Sequence, residues 1–364
     1  MKNIALRLGI LLSISFSLWI FANKIGMNPQ QALSIAIFSM SILGTLFFWD
    51  FRLSFAFVGT AVLLITKTID IEHLLIFSSL EVILFLIGMM VIMGRLKDSG
   101  VFAWIVSVIL RIPRLTGKRF VFIVAVLSGI FAGAVDEVTS IIFMVAAVLE
   151  VCDYFEVNPT PFIIISVLST NIGSAATVLG NPIGILIASK SGLTFEDFIV
   201  KAMPIAAVCL LVTSAMLVFW YRKPIALLDK NIKEFGTNEI LTKLISVPAD
   251  KRLKINMAIF FLTLIFISLH HRIEVALGLA PNTVLVAVPL ISSGLIMVWK
   301  RNKARKYIEK DVEWWTLIFF LLLFVQAGTL KFTNTTVFIA DKLVKLTGDN
   351  IGVLTSVILW ISAL

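Results

Sequence analysis

The chain has 364 residues, of which 59% are hydrophobic and only 15% charged, with a formal net charge of +9. A soluble domain usually carries about 25% charged residues, and here the apolar residues fall in long blocks almost free of charge, which excludes a soluble helical core and reads as an all-α polytopic membrane protein. The basic residues flank those blocks and form no aromatic-interleaved stripe, which excludes nucleic acid as a partner; two cysteines and three histidines offer neither a disulfide framework nor metal spacing.

In chain order the apolar blocks cover 6–22, 33–48, 53–66, 82–94, 120–135, 205–220, 256–269, 283–299 and 314–330. Lys2 and Arg7 precede the first, as in a signal peptide, but 23–29 hold no small-x-small cleavage pattern, so the block is read as the first span. A polar linker divides the chain into a first transmembrane half, 1–221, a cytoplasmic linker, 222–252, and a second, incomplete half, 253–364. Basic clusters lie at Arg111, Arg114, Lys118 and Arg119, through the linker from Arg222 to Lys254, and from Lys300 to Lys310. Basic loops stay in the cytoplasm, so the linker and 300–309 are expected inside and 270–282 outside. The adjacent His270 and His271 suit a loop. The stretch 138–152 reads equally as a re-entrant arm or a full crossing.

Similar text occurs in both halves. EVILFLIGMMVIMGRL (81–96) and EWWTLIFFLLLFVQAGTL (313–330) each open on Glu, run apolar and end in Gly-x-Leu or a close variant. VLSGIFAG (126–133) is answered by VILWISAL (357–364). Such duplication suits an inverted-repeat secondary transporter. The first half continues into further polar text and the second stops there, so the chain is expected to be truncated before its second-half motif.

That polar text is STNIGSAATVLGNPIG (169–184). Glycines, asparagines and Pro182 interrupt an apolar region, and Pro182 biases Asn181 away from the α region. Unwound backbone survives in a membrane only where protein buries it or it lines a cavity, so a discontinuous transmembrane helix is expected. Its half-helix ends would present free N–H and C=O groups to a small ion, with Ser169, Thr170, Asn171, Ser174, Thr177 and Asn181 as further ligands. Asp136 and Glu137 also interrupt apolar sequence. A carboxylate in hydrocarbon costs roughly 2.5–3.5 kcal/mol and tends to mark a pathway, which makes the two acids candidates for proton or ion coupling. Glu81 reads instead as a helix N-terminal acid facing water.

Three segments carry a resemblance. LEVILFLIGMMVIMGRLKDSGVF (80–102), GAVDEVTSIIFM (133–144) and STNIGSAATVLGNPIGILIASKSGLTFEDF (169–198) resemble, in order, segments of the ion transporter superfamily, which holds arsenite permeases, NhaD-type sodium/proton antiporters, the melanosomal P protein and citrate or dicarboxylate carriers. The resemblance implies ordinary helices, a re-entrant hairpin and a broken helix in each half. Carried over, the hairpin begins near Asp136 to Ser140. Ser169, Thr170, Asn171 and Gly173 form the turn of the broken helix, and Thr177, Gly180, Asn181 and Pro182 its far side. Asn181 stands where part of the superfamily has Asp, and Glu137 where it has Asn; the lost carboxylate at 181 shifts the expectation toward a neutral or anionic solute.

The expected function is secondary active transport of a small anion, of arsenite or carboxylate type, across the cell membrane. Na⁺/H⁺ antiport is the alternative within the class; an ion channel or a membrane enzyme lies outside it. No G-x-x-x-x-G-K-[ST] loop occurs, so the energy comes from an ion gradient or a separate ATPase subunit. No cofactor is expected beyond Na⁺ or H⁺ as coupling ion. The partners are the bilayer, the small ion and, as an open option, a second copy of the chain.

Overall fold

A computed structural model describes residues 2–110, 112, 115–235, 250–347 and 351–363; Arg111, Arg114 and the linker residues 236–249 lie outside the described residues. Every regular element among the described residues is helical. In chain order these are α1 (Lys2–Lys24), α2 (Pro29–Phe47), α3 (Arg52–Ile65), α4 (Ile71–Phe77), α5 (Leu80–Asp98), α6 (Val101–Leu110), α7 (Gly117–Ala134), α8 (Glu137–Tyr154), α9 (Thr160–Ser174) and α10 (Pro182–Ser191). There follow α11 (Phe195–Trp220), α12 (Arg222–Phe235), α13 (Lys251–Ser268), α14 (His270–Leu277), α15 (Thr283–Trp299), α16 (Trp314–Phe332), α17 (Thr335–Thr347) and α18 (Ile351–Ala363). Five of the described helices are long and apolar enough to cross a membrane, or up to eight spans if each bent pair counts as one. The chain is an all-α, multi-pass membrane protein, as its composition implies. His270 and His271 open α14 rather than a loop; His270 turns inward, its Nδ1 2.9 Å from the Ile267 carbonyl.

The helices pack as two compact units, Met1–Leu80 with Trp314–Leu364, and Glu81–Glu313. In the first, α2, α3 and α16 form the core, with Ile37, Leu63, Ile69 and Val325 in one cluster and Leu53, Ala56, Phe319 and Leu322 in another. Lipid tails are as apolar as these side chains, so tight packing and interhelical hydrogen bonds must hold such helices together. Gln326 is fully buried and donates to the Ala56 carbonyl at 3.1 Å and to Thr60 Oγ1 at 3.2 Å. Ser34 Oγ lies 3.2 Å from Thr333 Oγ1 and 3.1 Å from Thr335 Oγ1. Ser and Thr cost little in helix propensity, and each bond removes a polar group from hydrocarbon.

In the second unit the ends of the helices can be sorted by side. At one end, Asp98, the last residue of α5, binds Lys303 at 2.8 Å and Lys306 at 2.7 Å in the segment after α15. At the other, Arg272 of α14 binds Glu196 of α11 at 2.7 Å. The helices α13 and α15 join across Thr263 Oγ1 and Ser292 Oγ at 3.0 Å. One apolar helix, α15, lies between 270–277 and 301–311, so those two segments fall at opposite ends. With basic segments inside, cysteines introduced at Lys233 and Asn282 are expected to react with an impermeant maleimide from opposite faces; labelling of both from one face would overturn this arrangement.

Candidate functional site: a hairpin tip against a broken helix

The helices α7 and α8 form a hairpin whose two roots are held by a single helix. At the first root, the Gly117 amide donates to Asp229 Oδ1 on α12 at 3.0 Å. At the second, Asn231 Nδ2 on α12 donates to the Phe155 carbonyl at 2.8 Å. Both roots therefore lie on one side, and the hairpin enters and leaves there. A pair of crossings joined at the tip has the same form, and α7 is long and apolar enough to be one of them. Asp136 sits at the tip, not at the start of the hairpin as the resemblance implied.

The α7 arm runs alongside α9 in the same direction. Phe120 meets Phe162 edge-on at 5.6 Å, and further up Ser128 Oγ lies 2.9 Å from Ser166 Oγ. Then the backbones touch: a Cβ on Gly173 would run into the Gly129 backbone. Gly129 and Gly133 form a G-x-x-x-G pair, whose use is close helix approach in membranes. That spacing was the sequence signal for this contact. Above it the Thr177 hydroxyl donates to the Gly133 carbonyl, so the hairpin tip and the break in α9 are bonded directly.

The break is shorter and later than the sequence suggests. α9 stays helical through Ser174, so Ser169, Thr170, Asn171 and Gly173 belong to the helix. Only 175–181 unwinds, and α10 restarts at Pro182. Thr177, Gly180 and Asn181 lie in the unwound part. Gly180 is required there because a Cβ would collide with the Ser174 carbonyl. Asn181 caps α10, accepting from the Gly184 amide at 2.6 Å, and its Nδ2 faces Ser174 O and Oγ at 3.4 Å each. Pro182 at the first helical position loses no hydrogen bond. Asn171 is exposed on α9, whereas Asn181 is half-buried and committed to its cap. The structure does not bring those two amides together.

It does bring together the acids, the hairpin and the break. Glu137 Oε2 accepts from Ser174 Oγ at 3.3 Å, a hydroxyl that also faces the Asn171 carbonyl at 2.9 Å. Asp136 is 2% exposed. Its Oδ1 accepts from the Thr139 amide at 2.8 Å and caps α8. Its Oδ2 is buried with no protein partner, and so are the hydroxyls of Ser140, one turn along α8, and Ser169 on α9. Buried polar atoms nearly always have a partner, and each of these three oxygens has hydrogen-bonding capacity that the protein leaves unused. Ser140 was named from sequence only as a bound of the hairpin, not as a ligand; its position four residues after Asp136 was the available signal. Thr170 is satisfied within its helix, donating to the Ser166 carbonyl at 2.8 Å.

Behind the break lies a cavity of about 320 Å³. Gly129, Gly133, Gly173 and Thr177 form one wall, and Met203 and Leu210 of α11 another. Its walls are almost wholly apolar, so it suits hydrocarbon better than a charged solute. Among the described residues no group of three His, Cys, Asp or Glu side chains could hold a metal ion.

Asp229 is the titratable group of the roots that lies outside the spans. The hydrogen bond from the Lys233 ammonium, and then that from the Gly117 amide, hold its carboxyl below the usual carboxylate range. A lowered carboxyl pKa stabilises the fold above the unfolded value, about 3.9, and that stability is lost as pH falls through the folded value. Amide protection at Gly117 is expected to be flat from about pH 5 to 8 and to fall on further acidification. Hydrogen exchange reads this directly, and a loss beginning near neutrality would contradict it.

A family model described as Citrate transporter (CitMHS) matches residues 51–364. The chain belongs to the citrate transporter family. That family lies within the ion transporter superfamily named from the motifs. An uncharacterized transporter of Mycobacterium tuberculosis (strain ATCC 25618 / H37Rv) is 29% identical over 283 residues, 78% of this chain and 63% of that protein. A 46 kDa membrane protein of Mycobacterium leprae is 27% identical over 271 residues, 74% of this chain and 60% of that protein. The P protein of Mus musculus is 25% identical over 161 residues, 42% of this chain and 19% of its own length. The chain thus spans less than two thirds of the length of these relatives.

Proposed function

We propose that the protein is a secondary active transporter of the cell membrane, and that the hairpin tip and the broken helix hold its solute and coupling ion. The family and the transporters among its relatives support the class. The observation that carries the site is the Asp136 carboxylate, 2% exposed, with one oxygen bonded to the Thr139 amide and the other unpartnered. A buried charge at such a place is costly unless it is compensated. A proton or a small cation supplies the compensation, and its release on one side of the membrane couples a gradient to movement.

The solute is a small anion of carboxylate or oxyanion type. The family description points to a carboxylate, and Asn181 in place of an acid leaves no second fixed negative charge in the unwound segment to repel one. Na⁺/H⁺ antiport is the second reading, favoured by the adjacent Asp136 and Glu137. Uptake into vesicles decides between them: labelled citrate, succinate and arsenite are offered under an imposed Na⁺ or pH gradient, beside ²²Na⁺ alone. Gradient-driven accumulation of an anion is expected. Exchange of ²²Na⁺ for H⁺ with no anion uptake would establish the second reading instead.

A further inference from the structure

The helix α12 has a face that the transport site does not use. Its inner face, with Ile225, Leu228 and Ile232 all buried, packs on the base of α7. The fit is close enough that a Cβ on Gly117 would strike the Ile225 carbonyl. The apolar side of this amphipathic helix is therefore spent on protein. Its outer face carries Arg222, Lys223, Lys230 and Lys233, all exposed, against two acids: Lys230 pairs with Glu234 at 3.7 Å and Lys233 with Asp229 at 3.0 Å, which leaves the helix net positive. Lys118, at the foot of α7, is exposed beside them and within electrostatic reach of Asp229.

The depth of this face is set by what precedes it. α11 ends in Phe219 and Trp220, which are 73% and 80% exposed, and Arg222 lies over the Phe219 ring at 5.7 Å. Exposed aromatic residues at the end of an apolar span belong at the membrane–water boundary. α12 begins two residues later, at the level of the lipid headgroups. The net positive charge of the helix is then close to phosphates, and each basic residue near an anionic leaflet gains about 1 kcal/mol of attraction.

We propose that the outer face of α12 binds the headgroups of anionic phospholipids, and that through Asp229 and Asn231 this anchors both roots of the hairpin. The lipid surface grips α12 from outside; α12 grips Gly117 and Phe155 from inside. The hairpin that carries Asp136 is thereby referenced to the headgroup layer.

The test is hydrogen exchange on the whole chain, reconstituted either in phosphatidylcholine or in phosphatidylcholine with about one third phosphatidylglycerol, read at the peptide containing Gly117. Exchange there is expected to be at least about 10-fold slower with the anionic lipid, from two or more engaged cations. About 0.5 M salt should remove the difference by screening. Lys223→Gln with Lys230→Gln, neither of which touches the roots, should also remove it. Asp229→Asn should raise exchange at Gly117 in both lipids while α12 itself keeps its lipid-dependent protection. Equal exchange in the two lipids would overturn the proposal. So would equal slowing by about 10 mM inorganic phosphate in phosphatidylcholine, which would make the face a free-anion site. If the double variant does not insert, the wild-type comparison between lipids and salts still decides.

Discussion

Asp136→Asn is expected to abolish gradient-driven accumulation while leaving the hairpin folded. Asparagine is as good an N-cap as aspartate, so the bond from the Thr139 amide, 2.8 Å in the native protein, survives the change. What disappears is the charge on the oxygen that has no protein partner. Losing a charged ligand costs about 1.5–3 kcal/mol, roughly a 10- to 150-fold loss of affinity for the coupling ion. Asp136→Ala removes the cap as well, and should lower thermal stability by about 1 kcal/mol more than the asparagine variant. The pair separates coupling from folding. Wild-type accumulation with unchanged ion dependence in the asparagine variant would take Asp136 out of the mechanism.

Gly173→Val is expected to prevent the hairpin from docking at all. The atom that a Cβ would meet is the Gly129 backbone, not a movable side chain. Overpacking costs about 1–3 kcal/mol where neighbours can shift; here the α7 arm would have to leave α9, so the loss should reach or exceed the top of that range. Gly294→Ala is the control, because nothing lies within 4 Å of its Cβ position. That change should be neutral or slightly stabilising, since alanine is favoured over glycine in a helix by about 1 kcal/mol. Thermal unfolding in detergent, followed by size-exclusion of the heated sample, reads both. A Gly173→Val protein as stable as wild type would mean that α7 and α9 are not in backbone contact.

The membrane class, the break near Pro182 and the burial of Asp136 were legible because each rests on local chemistry: apolar run length, a proline with flanking glycines, an acid within apolar sequence. The start of the break was not. Ser169, Thr170 and Asn171 favour caps and turns by propensity, yet they remain helical because α7 packs along that stretch and Ser166 and Thr170 bond within it. Tertiary contact overrode a weak local preference. The cap made by Asn181 was missed for a related reason: an asparagine beside a break reads first as a ligand, whereas one directly before Pro at a helix start also caps that helix. The hairpin roots were invisible in sequence, since Gly117 and Phe155 meet α12 across separations of 112 and 76 residues.

Those separations also order the birth of the protein. Ser128 finds Ser166 after 38 further residues, so the contact of α7 with α9 can form only once α9 has followed it out of the ribosome and insertion machinery. The roots can be tied only when Asp229 and Asn231 arrive. Synthesis halted before α12 would therefore leave a chain with every residue of the tip and the break but neither root tied.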